Sequence, residues 1–277
     1  MIADCHIHMI LDGVDWKTAI NRHQDAPATL WIREVLKTYQ GLGVTYLRDG
    51  GDRWGAGATA RALAQEYGIT YRTPLAPLSR EGHYGAFIGL TYRNLGEYAA
   101  LVRQQKLQGA DFVKIMISGL MDFHRCGVLT EPGLPADLIV QLIHIAHEEG
   151  MAVMAHANGA ETVLAASAAG VDSVEHGAYQ NEESLSAMAQ MGTVWVPTLS
   201  TVGNLLSKGR FPDTQVRAIL DSTLQSLSDY RGLVAPGTDA GAWAVPHGSR
   251  TEEELLAQAG IGEQRLAQGV AVIIEKF

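Results

Sequence analysis

The stretch Met1-Ile-Ala-Asp-Cys-His-Ile-His-Met9 carries the pattern that decides the fold. Its apolar and β-branched residues predict a strand, and successive side chains of a strand point to opposite faces. His6 and His8 therefore share one face, while Cys5 and Ile7 share the other. Two imidazoles side by side are suited to binding a divalent ion. The stretch thus predicts a buried strand with metal-binding side chains near its C-terminal end.

Four later apolar runs also place a candidate metal-binding side chain at or near their C-terminal ends. These runs are Asp111-Phe-Val-Lys-Ile-Met-Ile117 with Lys114, Met151-Ala-Val-Met-Ala-His156, Val171-Asp-Ser-Val-Glu-His176 and Leu233-Val-Ala-Pro-Gly-Thr-Asp239. Barrel enzymes gather their chemistry at this end of their strands. The order His-x-His, Lys, His, His, Asp therefore predicts a binuclear metal hydrolase.

Apolar runs alternate with stretches of helical period, as expected for parallel strands joined by helices. We predict eight strands, at 2–8, 43–49, 69–76, 111–117, 151–156, 172–176, 193–198 and 232–238. A chain of 277 residues is within the size range of one barrel. The predicted fold is α/β, a closed (β/α)8 TIM barrel, with residues 1–277 as a single domain.

The composition excludes several classes of partner and site. The net charge is -9 and the basic residues are scattered, so we expect no nucleic-acid binding. There is no secretory signal and no apolar run long enough to span a bilayer, which predicts a cytoplasmic protein that binds no membrane. Two cysteines are too few for a disulfide framework. The expected partner is a small-molecule substrate, and a homo-oligomer is compatible with the sequence.

Lys114 is the unusual member of the series, because an ammonium group repels a cation. Burial beside cations would favour its neutral form, and a neutral amine can take up carbon dioxide to give a carbamate. A carbamate behaves as a carboxylate and can bridge two ions. A buried salt bridge is the alternative role, but few carboxylates lie nearby in sequence. The prediction is therefore a pair of divalent ions, with zinc expected, bridged by Lys114 after carbamylation by CO2.

The motifs resemble those of the amidohydrolase superfamily, in its imidazolonepropionase and Xaa-Pro dipeptidase-like branch. The matching motifs are Asp4-x-His-x-His8, Lys114-Ile-Met-Ile-Ser-Gly119, Ala146-His-Glu-Glu-Gly150 leading to Ala155-His-Ala157, Gly170-Val-Asp-Ser-Val-Glu-His-Gly177 and Gly237-Thr-Asp-Ala-Gly241. The resemblance implies that His6 and His8 hold the more buried ion, which Asp239 completes, and that His156 and His176 hold the more exposed one. Most members of this branch carry a flanking β-sandwich, and we expect residues 1–277 to form the barrel without it.

The resemblance implies a metal-dependent amidohydrolase that cleaves an amide, dipeptide or cyclic amide bond with a metal-activated hydroxide. In this hypothesis Asp239 is the catalytic residue, acting first as general base and then as general acid. Two alternatives remain open. The same binuclear centre could hydrolyse a lactone or an organophosphate ester, or the barrel could bind metal without catalytic activity.

Other candidate residues lie in the loops that follow the predicted strands. We predict substrate contact for His83, against a structural loop role, and for His247 at an equivalent place on the rim after the last strand, where a structural role is equally favoured. Arg48 and Asp49 end the second strand, and an ion pair that braces the barrel mouth is favoured over recognition of a substrate carboxylate. The long stretch 119–135 is a candidate lid.

Overall fold

The structure, a computed structural model, describes residues 2–277, in which strands and helices alternate along the chain. The strands are β1 (Ile2–Ile7), β2 (Val44–Asp49), β3 (Thr70–Arg72), β4 (Leu78–Arg80), β5 (Leu90–Tyr92), β6 (Val113–Met116), β7 (Val153–Ala157), β8 (Ser173–His176) and β9 (Val194–Val196). The helices are α1 (Trp16–Asn21), α2 (Thr29–Gly41), α3 (Ala56–Ala64), α4 (Leu95–Leu107), α5 (Ala136–Glu148), α6 (Ala160–Ala168), α7 (Glu182–Met191), α8 (Ser200–Gly203), α9 (Asp213–Asp229), α10 (Thr251–Gln258) and α11 (Glu263–Lys276). None of these helices combines the length and the apolar character that a membrane span requires.

The strands form two parallel sheets. One has the order β1-β2-β3, and the other has the order β5-β4-β6-β7-β8-β9. A main-chain hydrogen bond of 3.0 Å from Asp111, just before β6, to Thr73, just after β3, joins one side of the two sheets. Because all paired strands are parallel, their C-terminal ends meet at the same edge.

On the other side, the segment 233–240 lies between β9 and β1. The N–H of Trp195 donates to the carbonyl of Leu233, and the N–H of Cys5 donates to that of Pro236, each over 2.9 Å. Within residues 2–277 the segment forms no continuous ladder with either neighbour, and isolated bridges pair Val234 with Trp195 and Ala240 with Ile7. The sheets are therefore linked on both sides by backbone hydrogen bonds.

The predicted α/β class with parallel strands is confirmed, with two differences in its elements. The prediction of a regular strand at 232–238 is wrong, because Pro236 has no N–H to donate and so interrupts the ladder. The short strands β4 and β5 were not predicted, since each is three residues long and falls in sequence typical of a loop.

Apolar side chains close the N-terminal ends of the strands. One buried cluster contains Cys5, Phe112 and Met154, which lie one or two residues before His6, Lys114 and His156 on the same strands. Larger clusters fill the space between the strands and the surrounding helices. Burying side chains of this size stabilises a fold by about 1.5–3 kcal/mol each. The chemistry-bearing side chains are consequently left at the C-terminal ends.

Candidate metal centre

His6, His8 and Asp239 form the tightest group of potential ligands. Their donor atoms all lie within 4.8 Å of one another. Nε2 of His6 is 3.4 Å from Nε2 of His8, and Oδ1 of Asp239 is 3.5 Å from the first nitrogen and 3.1 Å from the second. His6 lies near the C-terminal end of β1 and His8 directly follows the strand, and the hydrogen bond from the Asp239 N–H to the His6 carbonyl brings the carboxylate alongside both imidazoles.

His176 lies on the other side of the Asp239 carboxylate. Its Nδ1 is 4.0 Å from Oδ2 of Asp239 and 2.7 Å from the hydroxyl of Thr198. The backbone of all three residues is left-handed, with φ of 67° at His176, 56° at Asp239 and 50° at Thr198. This conformation is costly for residues other than glycine, and such strain is concentrated at functional sites. The strained turns aim the three side chains at one another.

His156 is close to this group, but its ring nitrogen is turned elsewhere. Its ring centroid is 4.5 Å from that of His176, whereas its Nε2 lies 3.2 Å from the carbonyl oxygen of Gly119. The ring of Tyr84 covers His156 at a centroid distance of 4.9 Å. The structure therefore brings His156 to the site without directing its Nε2 at the other ligands.

Lys114 is buried in the same region, with only 1% of its surface exposed. Its Nζ has no hydrogen-bond partner among the residues the structure describes. Burial lowers the pKa of Lys114 to about 8, opposed by the charge of Glu175. The lowered pKa increases the fraction of neutral amine at neutral pH, and the neutral amine is the form that takes up carbon dioxide.

Burial favours the neutral form of His6, His156 and His176, which is the form of imidazole that binds metal ions. Burial lowers the pKa of His6 to about 4 and that of His156 to about 3, and it places the pKa of His176 well below its ordinary value. Burial alone would raise the pKa of Asp239, but its interactions with His6, His8 and Lys114, among them a hydrogen bond with His8, bring it below its ordinary value. Neutral imidazoles beside a carboxylate form a suitable donor set for zinc.

The two predicted substrate contacts differ in their surroundings. His83 is a third exposed, and its Nδ1 is 3.8 Å from Oε2 of Glu131 in the long loop 119–135. The backbone of that loop pairs with itself between Met121 and Leu129. His247, in contrast, uses both ring nitrogens, which lie 3.2 Å from the hydroxyl of Tyr39 and 3.0 Å from the carbonyl oxygen of Leu11. These contacts favour the structural role for His247, while substrate contact at His83 stays a prediction.

Glu175 is a residue of the site that the sequence motifs did not indicate, and its ion pair with Arg48 was therefore not predicted. Arg48 does form an ion pair, but inside the protein rather than at its mouth, and its partner is Glu175 at 2.8 Å. The second carboxylate oxygen of Glu175 lies 2.6 Å from Nδ1 of His6. The only available signal was the position of Glu175 directly before His176, and strict alternation would have placed these two side chains on opposite faces.

The profile of the amidohydrolase family matches residues 2–246, which is most of the chain. The chain belongs to the amidohydrolase family. This amidohydrolase is 28% identical over 194 residues to an uncharacterized protein of Mycobacterium tuberculosis, a match that covers 67% of the chain and 51% of that protein. It is 27% identical over 169 residues to ochratoxinase of Aspergillus niger, covering 57% of the chain and 33% of ochratoxinase. The matches thus span about half or less of these relatives.

The fold of this amidohydrolase is similar to that of a Xaa-Pro dipeptidase with methionine bound in its active site. The TM-score is 0.76 at 20% identity, covering 99% of the chain and 75% of the dipeptidase. The resemblance predicted from the five motifs is therefore confirmed. Amidohydrolases generally use metal ions, and the group of His6, His8 and Asp239 fits that requirement.

Proposed function

We propose that this amidohydrolase is a metal-dependent enzyme that hydrolyses an amide-type C–N bond in a small molecule. The observation that carries the proposal is the convergence of His6, His8 and Asp239, with donor atoms within 4.8 Å, at the C-terminal edge of parallel strands. Membership of the family supports the reaction class. Similarity to ochratoxinase and to a Xaa-Pro dipeptidase supports an amide or dipeptide bond as the target.

The proposed centre holds two divalent ions, with zinc as the expected metal. His6, His8 and Asp239 would bind the more buried ion, and His156 and His176 would bind the second after a rotation of the His156 ring away from Gly119. Lys114, as a carbamate, would bridge them. The buried Nζ has no hydrogen-bond partner within residues 2–277, which supports this role, because an ordinary structural lysine at such depth would be paired.

Bound cations supply an activated water at neutral pH and stabilise charge on the substrate carbonyl oxygen. The protein supplies the proton transfer. Asp239 presents one oxygen to His6 and His8 and the other towards His176, so its carboxylate is central in the group. From there it would accept a proton from the water and deliver it to the leaving nitrogen. His83 on the rim would contact the part of the substrate that remains outside.

The same proposal treats residues 1–277 as one domain whose strands close into a (β/α)8 barrel. The segment 233–240, although it is not a regular strand, would fill the remaining position of the barrel between β9 and β1. The hydrogen bonds of Leu233 and Pro236 to the two neighbouring strands support this closure, as does the bond between Asp111 and Thr73 on the other side. The C-terminal ends of the strands would then surround a single site.

A reconstitution experiment tests the activity. The full chain is loaded with zinc or manganese in bicarbonate and assayed against dipeptides, N-acyl amino acids, hydantoins, lactones and organophosphate esters. We expect metal-dependent cleavage of an amide-type substrate, and loss of turnover in Asp239→Asn with much of the metal retained. Asp172→Asn is the matched control, because Asp172 binds Lys276 at the opposite end of β8. Cleavage of esters alone, or binding of metal without cleavage, would contradict the proposal.

A second experiment tests the bridging lysine. The protein is exchanged into 13C-labelled bicarbonate with zinc, and its carbon spectrum is recorded. We expect a carbamate signal in the wild type that disappears in Lys114→Met. Lys276→Met is the control, since the Lys276 ammonium is paired with Asp172 at 2.8 Å and should not react. A wild-type spectrum without the signal would refute the carbamate while leaving the other ligands unaffected.

A further inference from the structure

Glu175 is a buried carboxylate that divides its two oxygens between different partners. Oε2 lies 2.6 Å from Nδ1 of His6. Oε1 accepts hydrogen bonds from the guanidinium of Arg48 at 2.8 Å and from the hydroxyl of Ser173 at 2.6 Å. Arginine–carboxylate pairs frequently engage both oxygens in a fork geometry, whereas this pair uses only Oε1. Here one oxygen is reserved for a predicted metal ligand.

Arg48 is fixed on every side, which holds Glu175 in place. Its Nε donates to the carbonyl of Cys5 at 2.8 Å and its Nη1 donates to Ser173 at 2.9 Å. Its guanidinium also stacks on the ring of Phe277, 4.4 Å from the centroid. Neither Arg48 nor Glu175 has any exposed surface. The guanidinium therefore balances the buried charge of Glu175 without leaving it free to turn away from His6.

An ionised carboxylate accepts hydrogen bonds and cannot donate them. The nitrogen of His6 that faces Glu175 must therefore carry the proton. In a neutral imidazole the other nitrogen, Nε2, then keeps its lone pair. That atom is the one that faces His8 Nε2, at 3.4 Å, and Asp239 Oδ1, at 3.5 Å.

We propose that Glu175, clamped by Arg48, is a positioning residue that fixes His6 in the tautomer protonated at Nδ1 and so presents Nε2 to the cation. The inference rests on the proposed function only in taking His6 as a metal ligand. Carboxylates that orient a ligating histidine in this way both select its tautomer and raise its basicity. The roles of Arg48 and Ser173 follow, because they fix the orientation of the Glu175 carboxylate.

The tautomer can be read directly in the metal-free full chain by long-range 1H–15N correlation of 15N-labelled histidines. The His6 signal is assigned by its disappearance in His6→Asn. We expect the form protonated at Nδ1 in the wild type. Glu175→Gln has one acceptor oxygen, which Arg48 and Ser173 retain, so its amide N–H faces His6 and should switch the ring to the form protonated at Nε2. Asp172→Asn, at the start of the same strand, should leave the ring unchanged.

Zinc affinity, measured by competition with a chelator, gives the second readout. We expect Glu175→Gln to bind zinc about 10–100-fold more weakly. Glu175→Asp keeps an acceptor-only group and should recover part of the loss, while Asp172→Asn should bind as the wild type does. A purely structural role of Glu175 would not produce this order of zinc affinities among the variants.

Three results would overturn the proposal. They are protonation at Nε2 of His6 in the wild type, an unchanged tautomer in folded Glu175→Gln, and equal zinc affinity in Glu175→Gln and the wild type. The tautomer of His6 in the wild type is measured without a variant, so this result applies even if Glu175→Gln does not fold. No substrate is present in either measurement. A failure of the amide panel would therefore count against the proposed activity and leave this test intact.

Discussion

Replacing Arg48 by methionine should leave Glu175 as an uncompensated buried charge. Burial raises the pKa of Glu175, and the charge of Arg48 and the hydrogen bond with His6 outweigh that effect and hold the pKa at about 2. Removing one partner of a buried ion pair costs about 3–5 kcal/mol of the free energy of unfolding. Arg48→Met should therefore lose an amount in this range, and Arg48→Lys should lose less because it keeps the charge.

The double variant Arg48→Met/Glu175→Gln removes both charges and should be more stable than the sum of the single losses by about 1–3 kcal/mol. The measurement is urea unfolding of metal-free protein at pH 7, followed by both circular dichroism and tryptophan fluorescence. Metal must be absent, because its binding would add to the apparent stability. Additive losses, or a loss below about 1 kcal/mol in Arg48→Met, would refute the reasoning.

Three further predictions concern other positions. In Gly50→Ala the new Cβ would lie 2.3 Å from Cε1 of His8, so zinc titration should show weaker binding, and an unchanged affinity would contradict this contact. Glu252 is buried against Ser200 and burial raises its pKa to about 8, so folded protein holds a proton that unfolded protein releases above its ordinary pKa of 4.5. The free energy of unfolding should therefore fall as the pH rises from 4.5 to about 8, by up to about 1.4 kcal/mol per pH unit. Unfolding curves of Glu252→Gln should not show this dependence on pH. His247→Ala should lower the unfolding temperature, while the KM of the folded, zinc-loaded protein should stay unchanged. A raised KM would instead indicate that His247 contacts the substrate.

Much of the fold could be predicted from the sequence, because apolar runs of strand length alternate with amphipathic helices. That pattern is local, so it identified seven strands without knowledge of tertiary contacts. It failed at 232–238, where the composition is apolar but Pro236 cannot donate to a ladder. It also missed β4 and β5, whose three-residue ladders depend on neighbours that are distant in sequence.

The candidate ligands could be proposed from residue type and strand position, since alternation places His6 and His8 together. The contact of the Glu175 carboxylate with His6 could not be predicted in this way. Glu175 is 169 residues away in sequence, and no local pattern pairs the two. Alternation also assigns Glu175 and His176 to opposite faces, and the left-handed backbone at His176 changes the direction of its side chain. Such a conformation is set by tertiary packing, which the sequence pattern does not reveal.

Thr198 has a consequence for attempts to make this protein more heat-resistant. A β-branched residue with φ of 50° is an obvious position for glycine, which would relieve strain on the order of 1–3 kcal/mol. The same exchange would delete the hydroxyl that lies 2.7 Å from His176 Nδ1 and would leave that imidazole free to rotate. The relief of strain is therefore opposed by the loss of a fully buried side chain and its hydrogen bond. Selection for turnover should keep threonine at this position in spite of its backbone conformation.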